Sequence, residues 1–528
     1  MATEKPGRLK VISTGALAGA VAALLMTMVL LVVRHQLGVA TPSELVGDRM
    51  APKLSVDTFI RLLTLFDGFN NLKKFGFGSV IGGQLLVGLL GGAGYALLVN
   101  RADSRESRFP LKVTNKSGLR FVVFLVTALW LSSLILLWPV LGTHYYGLPP
   151  GTATLVTALS LLTAYGLYGL SLIIGYRLIV SPAAAPGSRK LEFQGRRALL
   201  LGGAGALIAI AVDKIWKRLF DTATFSYDGT QYLGSDVQFL TPNERFYVVT
   251  KNIIDPRVNP ELWRLEIGGM VERPHSYSFQ ELTALPAIDQ ETTLMCISNQ
   301  VGGGLMSNAR WHGVPLRNFI QQAGPKSGIT KIVLRAVDGY DDTIPLAKAM
   351  EPTTLVVYEM NGSQLPFLHG YPMRVVVPGL FGEKSVKWVT RIECVAHDVK
   401  GFYEKQGWGP DFNIPTHSRF DGPDLSGPIS LGSAVHLKGV AFGGDRGVSK
   451  VEVSTDDGNE WREAEITMPG TRLTWALWRY DWQPPSEGDY KLVVRATDGN
   501  GNLQIKEERW TVPHGATGYH KVTVRLVR

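Results

Sequence analysis

The sequence predicts a chain in three parts: an all-α membrane-spanning region, a mixed α+β domain, and a C-terminal β-sandwich. Three observations predict it. Apolar residues are concentrated before residue 215, in runs long enough to cross a bilayer as helix. Short strands alternate with short helical stretches through the middle of the chain. From about Asp421 the pattern becomes alternating strands punctuated by Asp-Gly turns. The expected boundaries are 1–220, 221–420 and 421–528, and 528 residues leave room for two or three domains.

Five apolar runs make up the first part: Ile12–Val33, Phe77–Val99, Leu119–Leu141, Ala153–Val180 and Ala198–Val212. They account for a mean hydropathy of +0.08, high for a soluble protein. The first four each have the roughly 20 residues that a hydrocarbon core of about 30 Å requires. The fifth is shorter. Ile12–Val33 is too long for a cleavable signal and has no convincing small-residue cleavage site before Arg34-His35. Leu54–Phe66, between the first two runs, has the pattern of an amphipathic surface helix.

Positive charge flanks these runs unevenly. Lys5, Arg8 and Lys10 precede the first; Arg101, Arg105, Arg108, Lys112, Lys116 and Arg120 lie around the second connection; Arg177, Arg189, Lys190, Arg196 and Arg197 fill the fourth. The positive-inside rule puts all three segments in the cytoplasm, so five crossings leave the C-terminal half outside. The loop Gln36–Lys74 balances its cations with Glu44, Asp48, Asp57 and Asp67. Topology thus explains most of the net charge of +9, and no nucleic-acid partner is inferred. Only His35 and His144 occur in the first 220 residues, both at run ends, so paired haem ligands are not expected there. The partner of this region is membrane lipid.

In the middle part, strands are expected at Trp263–Gly269, Ile332–Val337, Thr354–Glu359, Arg374–Pro378 and Val389–Val395, with a helix at Leu316–Ala323. Sandwich strands are expected at Val435–Ala441, Val448–Ser454, Thr474–Trp482, Tyr490–Thr497 and Trp510–Val512. Asp456-Asp457-Gly458-Asn459 and Asp498-Gly499-Asn500-Gly501 read as turns.

Chemistry is concentrated around one of only two cysteines. Thr293-Leu294-Met295-Cys296-Ile297-Ser298-Asn299 runs from a strand into Gly302-Gly303-Gly304 and then Trp311-His312-Gly313-Val314-Pro315. By itself Cys296 reads equally well as a buried small hydrophobe or as a ligand. Cys394, within Ile392-Glu393-Cys394-Val395, reads as core. A second cluster follows about seventy residues on: Tyr358-Glu359-Met360-Asn361-Gly362, His369-Gly370-Tyr371-Pro372-Met373-Arg374-Val375-Val376-Val377-Pro378-Gly379, and Gly382-Glu383-Lys384-Ser385-Val386-Lys387-Trp388.

Together these segments, from about Asn243 to Gly407, closely resemble the molybdopterin-binding domain of the sulfite oxidase family. The region beyond is similar to that family's immunoglobulin-like C-terminal domain. The resemblance implies a molybdenum–molybdopterin cofactor with Cys296 as the protein's one metal ligand. High-valent molybdenum takes thiolate sulfur well, and metal binding itself keeps the thiol deprotonated. It further implies cofactor contacts from Tyr247, Val248, Lys251 and Asn252, from Asp338, from His369 and Arg374, and from Ser385, Val386 and Lys387. Cations and main-chain donors suit the pterin's phosphate. A small-molecule substrate, a separate electron-transfer protein and a homodimer through the C-terminal domain are implied in the same way.

One departure bears on substrate. Sulfite-oxidising members carry Cys-x-x-Asn-Arg-Arg, whereas Gln300 and Val301 stand at the arginine positions here, and Lys251 replaces another arginine. A guanidinium's bidentate hold on an oxyanion is not reproduced by valine or lysine. The expected activity is two-electron oxygen-atom transfer, as S-oxide or N-oxide reduction; the alternatives are sulfite oxidation, or a cofactor-free binding protein that keeps the fold. Arg196-Arg197 reads either as positive-inside anchoring or as a twin-arginine export signal for a protein loaded with cofactor before export.

Overall fold

The computed structural model describes residues 8–103, 116–182, 191–193, 203, 205–211, 214, 217, 223–425, 427–430 and 434–527. The chain divides into two compact units. One comprises Met1–Ala51, Leu62–Ser226 and Asn252–Ile254; the other comprises Pro52–Arg61, Tyr227–Lys251 and Asp255–Arg528.

Four helices of the first unit are long and apolar enough to cross a membrane: Arg8–Leu37, Phe69–Asn100, Lys116–Val140 and Pro150–Ile179. They coincide with the first four expected runs and fit a membrane anchor. Of the fifth run, 203 and 205–211 are described and helical; Arg196-Arg197, just before it, lies outside the described residues. Small residues set the helix packing. Gly15 and Gly19 of the first helix meet Gly88 and Gly92 of the second so closely that a Cβ at any of them has no room. The Tyr168 hydroxyl donates to the Gly88 carbonyl at 3.0 Å. Just past the first helix, Thr41 and Glu44 form a capping box on Pro42–Met50. Glu44 also accepts from Arg34 Nε at 2.9 Å, and the Arg34 guanidinium lies 3.6 Å over the Tyr145 ring. The expected surface helix is observed at Val56–Leu65, with none of its residues buried.

In the second unit, two five-stranded sheets make up the α+β part. In the first, the strands in chain order are β1 (Arg264–Gly269), β2 (His275–Ser278), β5 (Lys331–Ala336), β6 (Asp341–Pro345) and β10 (Val389–Val395). Their spatial order is β2-β1-β10-β5-β6, with β1 and β10 parallel. The helix Leu316–Ala323 stops at Gly324, whose φ of +69° a glycine accepts without strain. Its Phe319 and Ile320 join Trp263, Leu265, Ile267 and Ile392 in the main core. Cys394 is fully buried in that core as a free thiol.

The second sheet positions the site. It contains β3 (Ile288–Met295), β4 (Met306–Pro315), β7 (Leu355–Met360), β8 (Ser363–Gln364) and β9 (Arg374–Val376). β3 and β4 form an antiparallel hairpin whose last pair is Met295 with Met306. The next residue, Cys296, opens the connecting loop. β9 pairs with β7 through Arg374 and Val357, which fixes Arg374 in a buried strand.

The C-terminal part is a β-sandwich of a four-stranded and a five-stranded sheet around Leu437, Val451, Trp478, Leu492 and Val524. Trp510–Val512, expected as a strand, is a bend and turn instead. Trp510 is 77 % exposed, and Pro513 follows where a ladder would need an amide. The last strand is His520–Val527, which pairs with Gly488–Asp498. The other expected sandwich strands are present, and both Asp-Gly turns are turns.

Candidate active site

Cys296 is 9 % exposed and sits at the mouth of the β3–β4 hairpin. Main-chain bonds tie the loop on both sides of it. Its amide donates to Leu305 O at 2.9 Å, and its carbonyl accepts from the Asn299 amide at 3.0 Å. The Asn299 side chain then closes the loop by accepting from the Leu305 amide at 2.8 Å. The thiol contacts Ser298 Oγ at 3.0 Å. Burial pushes the thiol up to about 11, and the nearby Glu383 carboxylate adds to the shift while Ser298 opposes it. A bound cation would therefore be needed to hold the sulfur as thiolate.

The sandwich braces this loop from the outside. Arg419, 2 % exposed, donates to Gly303 O at 2.9 Å and to Tyr232 O at 2.8 Å, and is paired with Asp421. The His520 ring fills the space that a Cβ at Gly302 would need. The Thr293 amide donates to Leu473 O at 3.0 Å, and the Trp475 amide donates to Thr293 Oγ1 at 2.9 Å.

Three basic or imidazole groups of the second motif, Arg374, His369 and Lys387, lie together. Arg374 donates to His369 O at 3.1 Å and to Ser385 O at 3.0 Å, while among the described residues its buried Nε has no partner. It lies 5.1 Å over the Trp311 ring, and burial lowers it to about 10. His369 donates from Nε2 to Asn243 O at 2.9 Å, a direction set by the carbonyl. Burial, with Arg374 and Lys387 nearby, lowers it to about 3, so the ring is neutral at neutral pH. The Lys387 main chain pairs antiparallel with that of Arg374, and its Nζ donates to Leu368 O at 3.1 Å; burial lowers it too. Lys251 donates to Asp338 O at 2.8 Å, with the Asp338 carboxylate at 4.0 Å.

The remaining predicted residues fall less uniformly. Tyr247 is buried with its hydroxyl against Gly382, and its acidity is weakened first by burial and then by Cys296. Its ring packs in the same core cluster as Cys296 and Trp311. Val248 is held by its main chain, accepting from the Gly229 amide at 2.8 Å. Ser385 Oγ accepts from the Val377 amide at 3.1 Å. Val386 turns its side chain into the core, which leaves only its main chain for a ligand. Asn252 is grouped with the helical unit, where its carbonyl accepts from Thr224 and Lys73.

A further set of residues was not anticipated. Lys384 and Asp342, both buried, form an ion pair at 2.6 Å, and Tyr340 donates to Asp342 at 2.9 Å. Glu383 stands beside them, and among the described residues its two buried carboxyl oxygens have no side-chain partner. Glu383 and Lys384 lie within the Gly382–Trp388 segment, and nothing in the sequence ties them to Asp342 or Tyr340.

These residues fit a phosphorylated pterin with a thiolate-bound metal. Among the described residues Arg374 and Lys387 form no ion pair, only bonds to carbonyls, and Arg374 Nε is unsatisfied. Buried cations left this way call for an anion. Among the described residues no three His, Cys, Asp or Glu side chains could hold a metal by themselves. A metal at Cys296 would need the pterin sulfurs.

Comparison with known proteins agrees. Residues 252–403 match the oxidoreductase molybdopterin binding domain family, and residues 416–527 match the Mo-co oxidoreductase dimerisation domain family. Sulfite oxidase of Gallus gallus is 32 % identical over 316 residues, which is 51 % of this chain and 68 % of that protein. The mitochondrial sulfite oxidase of Drosophila melanogaster is 31 % identical over 346 residues, covering 55 % and 60 %. This chain spans about 60 % or less of the length of several curated relatives. The crystal structure of the sulfane dehydrogenase SoxCD from Paracoccus pantotrophus superposes with a TM-score of 0.51 at 24 % identity, covering 55 % of this chain and 82 % of that one, which shows a shared fold. The thiol on its braced loop, the buried cations bonded to carbonyls and these matches lead to one conclusion: the chain belongs to the sulfite oxidase family of molybdopterin oxidoreductases.

Proposed function

We propose that the chain is a membrane-anchored oxidoreductase that transfers an oxygen atom to or from a small substrate outside the cytoplasm, working as an S-oxide or N-oxide reductase. The observation that carries the direction is the Cys296 loop itself. It presents an exposed Gln300 and a half-buried Val301 where an oxyanion-binding site would need guanidinium groups. A neutral S-oxide places no such demand on the loop.

When bound, the molybdenum cofactor supplies two-electron redox chemistry and an exchangeable oxygen site. The chain does the rest. Cys296 Sγ provides the metal ligand, and Arg374, Lys387 and the Ser385–Lys387 main chain hold the pterin's polar end. His369, neutral and fixed by Asn243 O, offers an unprotonated Nδ1 as acceptor. Tyr247 packs between the loop and Gly382, orienting both. The four apolar helices would keep the site at a membrane surface, and the charge pattern supports an outward-facing catalytic half. Electrons would come from a separate protein, and the 416–527 match supports a homodimer.

Steady-state assays test the direction. Turnover of a sulfoxide with reduced viologen should exceed turnover of sulfite with an artificial acceptor. A second reading, sulfite oxidation, is favoured by the names of the relatives and by the cations Lys251 and Arg374; dominant sulfite turnover would establish it instead.

A further inference from the structure

Trp510 is 77 % exposed, more than any other large apolar residue described in the catalytic unit. It is presented firmly, because Arg509 and Thr517 exchange main-chain hydrogen bonds at 3.0 and 3.1 Å. Leu503 and Ile505 are exposed on the same segment. Gln504 between them is buried and donates from Nε2 to Gly518 O at 2.7 Å. An indole has much apolar area to bury, so one held out in water with two aliphatic neighbours marks an interaction surface.

The same unit contains a cavity of about 470 Å³. Leu233, Phe420, Leu425 and Val522 line it, and Asp424 is exposed beside them. Gly302, on the loop that carries Cys296, forms part of its wall. That volume and apolar lining accept an indole ring. Ring and cavity share one edge of the unit. Gly518, next to Thr517, is so enclosed that a Cβ there would stand 3.1 Å from Glu508 Cγ and 3.7 Å from Val301 Cγ2. Val301 precedes Gly302, and the His520 ring that packs on Gly302 begins the strand that supplies Val522.

We propose that Trp510 of each copy seats in this cavity of a second copy, twice across a two-fold axis, so that each covers the Gly302 side of the other's Cys296 loop. This rests on the homodimer reading above and adds the contact that forms it. A protruding ring and a hole on one edge are self-complementary under a two-fold axis, whereas on opposite faces they would build an open chain. Charge agrees with this pairing. Arg509, exposed beside the ring, donates only to Gly515 O and His514 O and forms no ion pair among the described residues. Asp424 lies where that guanidinium would arrive; Asp236, also at the cavity, is engaged by Arg245. Trp510, Leu425 and Val522 all fall within the 416–527 match to the dimerisation domain family. A tryptophan seated in a partner's pocket is the kind of contact that dominates an interface, and symmetry counts it twice.

The test uses the full-length holoprotein in detergent. Sedimentation velocity over a concentration series should show that Trp510→Ala weakens self-association by at least ~30-fold, with cofactor content unchanged, and that Trp510→Phe weakens it less. A benzophenone amino acid placed at 510, in a mixture of isotope-light and isotope-heavy copies, should cross-link on irradiation to peptides of the other copy carrying 420–425 or 522. Wild-type association in Trp510→Ala overturns the proposal. So does a cross-link that stays within one copy, falls elsewhere on the second copy, or goes to lipid. If the alanine variant misfolds, the cross-link decides alone. A wild-type chain that stays monomeric at every concentration defeats the homodimer reading itself, whereas an undiminished Trp510→Ala dimer defeats only this contact.

Discussion

The two compact units bury arginine in opposite ways. In the helical unit Arg34 is fully engaged: Glu44 at 2.9 Å, Ile254 O at 3.2 Å, and the Tyr145 ring beneath its guanidinium. Glu44 in turn accepts from the Thr41 amide at 2.8 Å. In the catalytic unit Arg374 has, among the described residues, two carbonyl partners, no carboxylate, and a bare Nε. A closed ion pair of the first kind holds an element in place. A cation left open at a cost in desolvation is waiting for a ligand.

The largest effect expected is on the ligand thiol. Cys296→Ser should remove at least ~1,000-fold of turnover while leaving the melting temperature of the protein nearly unchanged, since the side chains differ by one atom. Parallel turnover and thermal-melt measurements check it. A serine variant with ordinary activity would remove the basis for the contrast.

The arginines should then separate. Arg34→Met leaves Glu44 buried without its cation and should destabilise the helical unit by about 3–5 kcal/mol. Arg374→Met removes an uncompensated charge, so cofactor-free protein should melt no lower than wild type, while pterin retention falls at least ~10-fold. Denaturation in detergent and pterin fluorescence after heat release measure the two. Equal destabilisation by both substitutions would erase the distinction.

Acid titration sharpens the comparison within the catalytic unit. Burial lowers His369 to about 3, and His417 and His520 to about 4. The unfolded chain, with ordinary histidines, binds more protons between those values and about 6.5, so stability falls as pH drops through that window. Glu383 works the other way. It is raised, the folded state holds its proton longer, and its contribution declines as pH rises from about 4.5 to about 8. Chemical denaturation across pH should show both limbs, with the upper one flattened in Glu383→Gln. The smallest effect is at the rim: Arg525→Ala breaks an exposed pair with Asp489 and should leave the melting temperature unmoved.

What could be read beforehand follows the range of the interactions. The four long apolar runs, the Cys296 loop and the His369–Arg374 strand entry depend on local composition and were legible. So were β10 and the helix Leu316–Ala323. Trp510–Val512 misled because an aromatic and a β-branched residue imitate a strand, whereas Pro513 and solvent decide otherwise. In His520–Val527 the alternation of Val522, Val524 and Leu526 was a usable signal without a turn to frame it. The cluster of Glu383 with Asp342 and Tyr340 could not be read, because 42 residues separate Lys384 from Asp342 and only the tertiary fold brings them together. Asn252, matched by motif, is tied to Thr224 and Lys73, residues that no local pattern connects to it.

The Arg419 clamp has a consequence for modularity. Because the sandwich lends a guanidinium to Gly303 and a ring to Gly302, severing the chain near residue 415 would unmoor the Cys296 loop. The two segments must therefore be inherited, swapped or engineered as a single piece.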